Sequence, residues 1–219
     1  MATAPLDLIR SGAFSVMIAA GLMSGSANAQ STPERGVFVT QIGDGSRATI
    51  TQQNSDSFAR VVQDGNANQV DLAQNGNAAH RAQIAQNGDD NQVGAQQDGD
   101  GSTDLALVQD GNRNSAVVLQ REVSAAEQSS ASILQRGNGN SVILAQNGSD
   151  NQALLEQLGD GNAMNVTQTD NGNRLEWSQN GDNLSNLGIV QSGGANMQIT
   201  QSNTGGVQFT PPPSSGTGG

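Results

Sequence analysis

The sequence predicts an all-β protein built as a β-solenoid, in which short strands alternate with turns and stack in successive rungs. Three observations predict this fold: an arm of about eleven residues repeats along the chain, apolar residues occupy every second position within it, and a glycine-rich turn follows it. The stretch 70–77 shows all three. Alternation with period two is typical of strands, and a fixed repeat of strand and turn is typical of solenoids.

Every arm ends on a glutamine, here called the anchor glutamine, and the positions four and two before it are apolar. In the arm that ends at Gln74, these positions hold Val70 and Leu72. Nine of the fourteen intervals between anchors are eleven residues, three are twelve, one is ten and one is fifteen. A chain that is only 34% hydrophobic does not keep fifteen such pairs in register by chance. The anchors are Gln41, Gln52, Gln63, Gln74, Gln86, Gln97, Gln109, Gln120, Gln135, Gln146, Gln157, Gln168, Gln179, Gln191 and Gln201.

A glycine lies two residues after the anchor in eleven of the fifteen arms, and Asn or Asp usually stands close to it. These residues tolerate a positive φ, so each arm is expected to end in a tight turn. The turn glycines are Gly43, Gly65, Gly76, Gly88, Gly99, Gly111, Gly137, Gly148, Gly159, Gly181 and Gly193.

Two facing arms can enclose their apolar pairs, so we expect rungs of about 22 residues and about seven or eight rungs, with Val207 and Phe209 supplying a sixteenth arm. A rung buries only four medium-sized apolar side chains, so its stability must also come from stacking. Stacked Gln and Asn side chains form hydrogen-bonded ladders in cross-β amyloid, and we expect the same amyloid-like stacking here. The inward asparagines expected in ladders are Asn68, Asn91, Asn114, Asn140, Asn151, Asn162, Asn173 and Asn196.

The beginning of the sequence predicts a secretory signal peptide. Arg10 precedes an apolar run at 13–23, and residues 27–29 have the small-x-small pattern of a signal-peptidase site. The run is too short to span about 30 Å of hydrocarbon. We therefore expect residues 1–29 to be removed and the rest of the chain to be secreted.

The remaining chain divides into four predicted segments. Residues 30–36 form a short leader, and the repeat solenoid covers residues 37–210. The longest interval between anchors predicts an irregular loop at 121–130 that bulges from one corner. Residues 211–219, rich in Pro, Ser and Gly, should form a flexible tail, because three successive prolines cannot donate ladder hydrogen bonds.

The composition argues against disulfides, metal sites and catalytic residues. The chain has no cysteine and one histidine, which excludes disulfides and the usual zinc sites and makes a Ser-His-Asp triad improbable. A net charge of −11 disfavours nucleic acid and anionic lipid as partners. We therefore predict no catalytic residue, metal site or cofactor, and no enzyme activity. His80 is expected in an exposed turn, whereas Phe38 and Phe58 should face outward and could mediate lateral contacts.

Both ends of the predicted solenoid lack a cap. The first apolar pair, Val37 and Val39, follows the leader directly, and the prolines at the other end are too small to cover a rung. Uncapped strand edges template another copy, so end-to-end polymerisation into a cross-β fibre is expected. The turn aspartates would either slow association through repulsion at the rims or simply be solvated. The alternative is a secreted monomeric solenoid that binds a surface glycan or ice; a parallel β-helix enzyme is a more distant one.

The motif Gln-x-Gly-x-x-Asn-x-apolar-x-apolar-x-Gln, as at residues 63–74, 86–97 and 135–146, resembles the curlin repeat of curli fibre subunits. The resemblance implies a functional amyloid of Gram-negative bacteria, secreted to the cell surface and assembled into fimbria-like fibres for adhesion and biofilm matrix. It also implies three partners: further copies of the chain, a paired subunit or nucleator, and an outer-membrane export pore. No transmembrane span is expected in the mature chain.

The sequence departs from that motif in several arms. The turn glycine is replaced in four arms and the motif asparagine in six. The residues in place of glycine are Asn54, Glu122, Asp170 and Asn203, and those in place of asparagine are Ser46, Ser57, Ala79, Ser102, Ala125 and Leu184.

Overall fold

The computed structural model describes residues 35–203 and the backbone of residues 206–210. The predicted signal peptide, most of the predicted leader and the predicted tail lie outside these residues. The described part is all-β and contains no helix, and its parallel strands stack as a solenoid. The predicted fold class is therefore confirmed.

Sixteen strands alternate with turns in the described residues. They are β1 (Gly36–Ile42), β2 (Arg47–Gln52), β3 (Phe58–Asp64), β4 (Gln69–Gln74), β5 (Arg81–Asn87), β6 (Gln92–Gly99), β7 (Ser102–Asp110), β8 (Ser115–Glu122), β9 (Gln128–Arg136), β10 (Ser141–Gly148), β11 (Gln152–Leu158), β12 (Ala163–Thr169), β13 (Arg174–Asn180), β14 (Ile189–Ser192), β15 (Asn196–Ser202) and β16 (Gly206–Thr210).

The strands form two sheets, and consecutive strands of the solenoid alternate between them. Sheet 1 has the order β1-β3-β5-β7-β9-β11-β13-β15-β16, and sheet 2 has the order β14-β12-β10-β8-β6-β4-β2. Within each sheet the solenoid strands pair in parallel and in register, so that Gln63 lies beside Gln86. Equivalent residues of successive rungs are 22 or 23 positions apart, and 26 across the longest turn. One strand of each sheet makes a rung, which gives about seven complete turns.

The apolar pairs of the two sheets meet in the interior. Val61 of sheet 1 and Leu72 of sheet 2 are both buried, and the single tryptophan, Trp177, is fully enclosed at the same kind of position. Successive side chains of a strand point to opposite faces, so the period-two pattern of each arm places one set of residues inside and the other outside.

The sixteenth strand departs from the expectation. β16 pairs antiparallel with β15 at the end of sheet 1, with Gly206 opposite Ser202, and it does not continue sheet 2 beyond β14. Two residues after Phe209, where an anchor glutamine would stand, the sequence has Pro211. Proline supplies neither a ladder amide nor a backbone N–H. The interpretation of this segment as a sixteenth solenoid arm is therefore wrong.

The irregular segment is shorter than its predicted bounds of 121–130. β8 continues to Glu122 and β9 begins at Gln128, so residues 123–127 alone lie outside the strands. The rungs on both sides keep their register, because β8 pairs with β10 and β7 pairs with β9 without a break.

Candidate functional site

Two ladders of anchor glutamines run through the solenoid, one in each sheet. Each side chain except the last of its ladder donates from Nε2 to Oε1 of the anchor in the following rung, as from Gln86 to Gln109 at 2.9 Å. Every link in both ladders points toward higher residue numbers. The first ladder joins Gln41, Gln63, Gln86, Gln109, Gln135, Gln157, Gln179 and Gln201, and the second joins Gln52, Gln74, Gln97, Gln120, Gln146, Gln168 and Gln191.

The same amides also join the two sheets. Nε2 of Gln109 in sheet 1 donates to the backbone carbonyl of Gln92 in sheet 2 at 3.1 Å, and Nε2 of Gln74 in sheet 2 donates to the carbonyl of Phe58 in sheet 1 at 3.1 Å. Among the described residues, no buried side-chain nitrogen or oxygen lacks a hydrogen-bond partner. A polar side chain can therefore occupy the interior of every rung without an unsatisfied group.

Five of the predicted asparagines form one buried column at the corner that precedes the strands of sheet 2. In this column, Oδ1 of Asn91 accepts the backbone N–H of Asn114 at 3.0 Å, and Nδ2 of Asn91 donates to the carbonyl of Gly111 at 2.8 Å. Each asparagine thus binds the turn glycine of the following rung. The column consists of Asn68, Asn91, Asn114, Asn140 and Asn162.

The opposite corner carries a mixed column, in which Asn151 and Asn173 follow other polar residues. Oδ1 of Asn151 accepts the backbone N–H of Asn173 at 3.1 Å. The members of the mixed column are Ser57, His80, Thr103, Ser129, Asn151 and Asn173, and all of them are buried.

His80 belongs to this mixed column, so the expectation that it is exposed is wrong. Its exposed fraction is 1%, and its backbone N–H donates to Oγ of Ser57 at 3.1 Å. Its Nε2 lies 2.6 Å from the carbonyl oxygen of Asn75 and its Nδ1 lies 3.1 Å from Oγ1 of Thr103. Nε2 must therefore donate, and Nδ1 is placed to accept from the threonine hydroxyl. A neutral imidazole satisfies both contacts, and burial favours this form by lowering the pKa of the ring.

We expect the folded chain to lose stability as the pH falls below about 6.5, the ordinary pKa of histidine. Burial lowers the pKa of His80, and the Asn75 carbonyl and the Asp98 carboxylate oppose this effect only in part. Between the two pKa values, His80 binds a proton in the unfolded chain but stays neutral in the folded chain. The stability that depends on neutral His80 is therefore fully present above pH 6.5 and decreases as the pH falls toward the lowered pKa of this residue. Denaturant titrations at several pH values measure this slope.

The matched variant is His80→Asn, which introduces the side chain that Asn151 supplies in the same column. Its free energy of unfolding should depend less on pH between 6.5 and the lowered pKa of His80. Burial raises the pKa of Asp104, and that effect cancels in the comparison because both proteins contain it. Equal pH slopes in the two proteins would contradict the assignment.

Asn196 lies in neither column, so its predicted ladder role is wrong. It directly precedes Met197, and neighbouring residues of a strand point to opposite faces, so Asn196 is exposed on β15. Ala195 holds the inward position instead, and its backbone N–H donates to Oδ1 of Asn173 at 3.0 Å.

All the turn glycines except Gly193 meet two demands at once. All eleven have a positive φ, from 67° at Gly193 to 142° at Gly148. Successive turns also lie in direct backbone contact, because a Cβ atom placed on Gly88 would lie 2.3 Å from the carbonyl oxygen of Gly111. A side chain at such a position would be strained in conformation and would also push the rungs apart.

An exposed column of Asn and Asp, which the sequence reasoning missed, follows the outer residues of the turns after sheet 1. Oδ1 of Asn66 accepts the backbone N–H of Asp44 at 2.9 Å, and Oδ1 of Asp89 accepts that of Asn66 at 2.7 Å. Turn aspartates in this column therefore accept backbone hydrogen bonds between rungs. The column consists of Asn66, Asp89, Asn112, Asn138, Asp160 and Asp182.

Glu122, which replaces a turn glycine, is fully buried. Its carboxylate accepts hydrogen bonds from Oγ of Ser129 at 2.8 Å and from the backbone N–H groups of Ser124 and Asp150 at 3.0 Å each. These three donors satisfy a charge that would otherwise be costly to bury. They also hold residues 123–127 against the following rung.

The first rung leaves one surface of the solenoid open. In the described residues, β1 pairs only with β3 and β2 pairs only with β4, so each has a free outer edge. Val37 and Val39 are 47% and 45% exposed, whereas Val61 of the next rung is fully buried. Nε2 of Gln41 donates to Gln63, but no described residue donates to Oε1 of Gln41. We call this surface, formed by β1 and β2, the N-terminal face.

The two outward phenylalanines differ in accessibility. Phe38 is 54% exposed on β1. Phe58 is only 5% exposed, because the Phe38 ring lies 5.7 Å away and the guanidinium of Arg81 lies 4.6 Å above its ring. Phe38 alone of the pair is therefore accessible for lateral contact.

Within residues 35–203, no group of three or more His, Cys, Asp or Glu side chains is placed to hold a metal ion. The described part of the chain also contains no helix with the length and hydropathy of a membrane span.

Four of the stacked arms match a known family model. Residues 126–159 and 137–169 match the family model of the curlin associated repeat. Residues 126–169 therefore carry curlin repeats. The matched residues include β9 to β12, and the remaining arms keep the same anchor glutamines and the same stacked register. No curated protein and no solved structure matched the chain. Curlin repeats form a structural rather than an enzymatic family, and the family suggests self-assembly into extracellular fibres.

Proposed function

We propose that this curlin-repeat protein is a secreted subunit of a curli-type amyloid fibre, in which copies stack end to end and continue one another's rungs. The observation that carries the proposal is the open N-terminal face. Its apolar pair Val37 and Val39 is about half exposed, and the strand edges beside it are unpaired in the described residues. A further rung from a second copy would bury these side chains and pair these edges.

The other end of the solenoid supplies matching groups in sheet 2. The outer edge of β14 is unpaired in the described residues. Its anchor, Gln191, has no following anchor and donates to the carbonyls of Arg174 at 2.9 Å and Ala195 at 3.4 Å. The anchors of a stacked second copy would give such a side chain the partner that every interior anchor has.

Secretion, export and surface function complete the proposal. We expect cleavage near Ala29, passage through an outer-membrane pore of a Gram-negative bacterium, and surface fibres that support adhesion and biofilm matrix. A paired subunit or nucleator is an expected partner. The absence of cysteine supports this route, since no disulfide can lock the chain before it crosses the second membrane.

A monomeric binding solenoid has less support from the outer surface. Glycan-binding and ice-binding solenoids would need a regular outward array. One outward row of sheet 2 is instead irregular along the solenoid, with Asp71, Gly94, Val117, Ile143 and Asn165 following one another. The regular features of this chain are all inside the solenoid or at its corners, where they serve stacking.

Fibre formation can be tested by diluting denatured residues 30–219 into buffer and following thioflavin fluorescence. We expect a lag, then growth, and diffraction from the product at about 4.7 and 10 Å. Val39→Lys should stop growth, because it places a charge in the junction between copies. Thr40→Lys is the matched control, since Thr40 is also exposed but points to the opposite face of β1.

A compact β-rich monomer that persists at high concentration would overturn the fibre proposal and favour the binding solenoid. Fibres that form equally well with Val39→Lys and Thr40→Lys would show that copies do not join through the N-terminal face. Circular dichroism of each variant before growth separates a failure to stack from a failure to fold.

A further inference from the structure

We propose that β16 is a displaceable cap, which occupies the edge of β15 where the next copy must stack, so that every stacking step requires its release. This inference rests on the fibre function proposed above. It concerns the C-terminal end of the solenoid, where the two sheets end differently: sheet 1 is covered by β16, whereas the outer edge of β14 in sheet 2 is unpaired in the described residues.

The cap lies directly on the growth edge. β15 pairs in parallel with β13 on one side, as every interior strand does, and on its other side it pairs antiparallel with β16. This contact runs from the Ser202–Gly206 pair to the Gln198–Thr210 pair, which is nearly the whole length of β15. A parallel strand of a second copy needs the same backbone groups, so the two partners exclude each other.

β16 cannot act as a rung of its own. Its direction is reversed, and proline stands where its anchor glutamine would be. The anchor ladder of sheet 1 therefore ends at Gln201, whose Oε1 accepts from Gln179 at 2.9 Å and from the indole N–H of Trp177 at 2.8 Å. Nε2 of Gln201 donates to the carbonyl of Ser185 at 3.0 Å. β16 supplies no anchor glutamine to continue the ladder.

The cap should yield to a second copy. β16 pairs through five residues, whereas β1 of an incoming copy has seven and its rung adds apolar cover and a new anchor for the ladder. Short two-stranded pairings are only marginally stable by themselves. The cap therefore slows stacking without preventing it, because release precedes each new junction.

A first test uses Val207→Pro/Gln208→Pro in residues 30–219. Successive N–H groups of an edge strand point to opposite sides, so one of two adjacent prolines removes an N–H that faces β15. We expect a shorter lag and faster seeded growth than in the wild type, by about tenfold. Ser214→Pro/Ser215→Pro is the matched control, because it adds the same two prolines beyond β16 and should leave both rates unchanged.

A second test holds the cap in place. The chain has no cysteine, and Thr200 lies opposite Gln208 in the β15–β16 register, so Thr200→Cys/Gln208→Cys allows one disulfide across the pair. The oxidised protein should fail to stack, and a reductant should restore growth to the wild-type rate. The wild-type protein should not respond to the reductant.

The outcomes separate this inference from the fibre proposal. Fibres that grow at one rate in the wild type, the double-proline variant and the oxidised variant would overturn the cap and leave the fibre function standing. Slower growth of the double-proline variant would also overturn it, since β16 would then support the junction. If no protein forms fibres even with β16 released, both proposals fail, because a free edge does not recruit a second copy.

Discussion

Replacing Gln109 by glutamate should destabilise the folded chain by about 3–5 kcal/mol at neutral pH, because it buries a charge whose only side-chain donor is the Gln86 amide. Gln109 is fully buried, and its Nε2 donates both to Oε1 of Gln135 at 2.8 Å and to the carbonyl of Gln92 at 3.1 Å. A carboxylate would face these two acceptors with no hydrogen to offer. The free energy of unfolding, followed by Trp177 fluorescence in denaturant, measures the loss.

The loss should shrink as the pH approaches about 4, where carboxyl groups bind a proton and regain one O–H donor. Gln96→Glu is the matched control, because Gln96 is exposed on the neighbouring strand β6. Its cost should stay within about 0.5 kcal/mol. Equal losses at Gln109 and Gln96 would show that the ladder does not stabilise the interior.

Gly88→Ala should cost about 3–5 kcal/mol, through backbone strain and through overpacking between two rungs. Gly88 has a φ of 106°, and a new Cβ atom would lie 2.3 Å from the carbonyl oxygen of Gly111 and 2.9 Å from Oδ1 of Asn112. The carbonyl oxygen is part of the backbone, so the following turn must move. Movement there would also weaken the hydrogen bond from Asn91 to the carbonyl of Gly111.

Gly94→Ala provides the matched control for the turn variant. Gly94 lies in β6 without a positive φ, and a Cβ atom there meets nothing within 4 Å. Alanine in a strand loses less chain entropy than glycine, so this variant should be neutral or slightly more stable. Comparable losses in the two variants, measured by denaturant unfolding, would contradict the close contact between successive turns.

The regular part of the fold was predictable because strand parity ties each residue type to one environment. An apolar residue at every second position, closed by Gln, leaves only one face for the interior, and the sheets follow that assignment. The same parity places His80 inside when it is counted back from its own apolar pair at Ala82. Counting forward from Gln74 selects Ala79 instead, because the intervening turn has one additional residue.

The ends and the exceptions were less predictable, since they depend on contacts that no repeat encodes. The alternation of Val207 and Phe209 suits a parallel rung and an antiparallel hairpin equally, and Pro211 was the only local sign against a rung. Glu122 gave no sign of burial, because its charge is satisfied by backbone N–H groups that the fold brings together from different turns.

The one-way direction of the glutamine ladders makes any fibre built from this chain polar. Two N-terminal faces brought together would set Oε1 of Gln41 against its own copy, acceptor against acceptor, and two opposite ends would set donor against donor. Only a head-to-tail junction pairs them. Every fibre should therefore have one acceptor tip and one donor tip, and a ligand that blocks one tip should leave growth at the other intact.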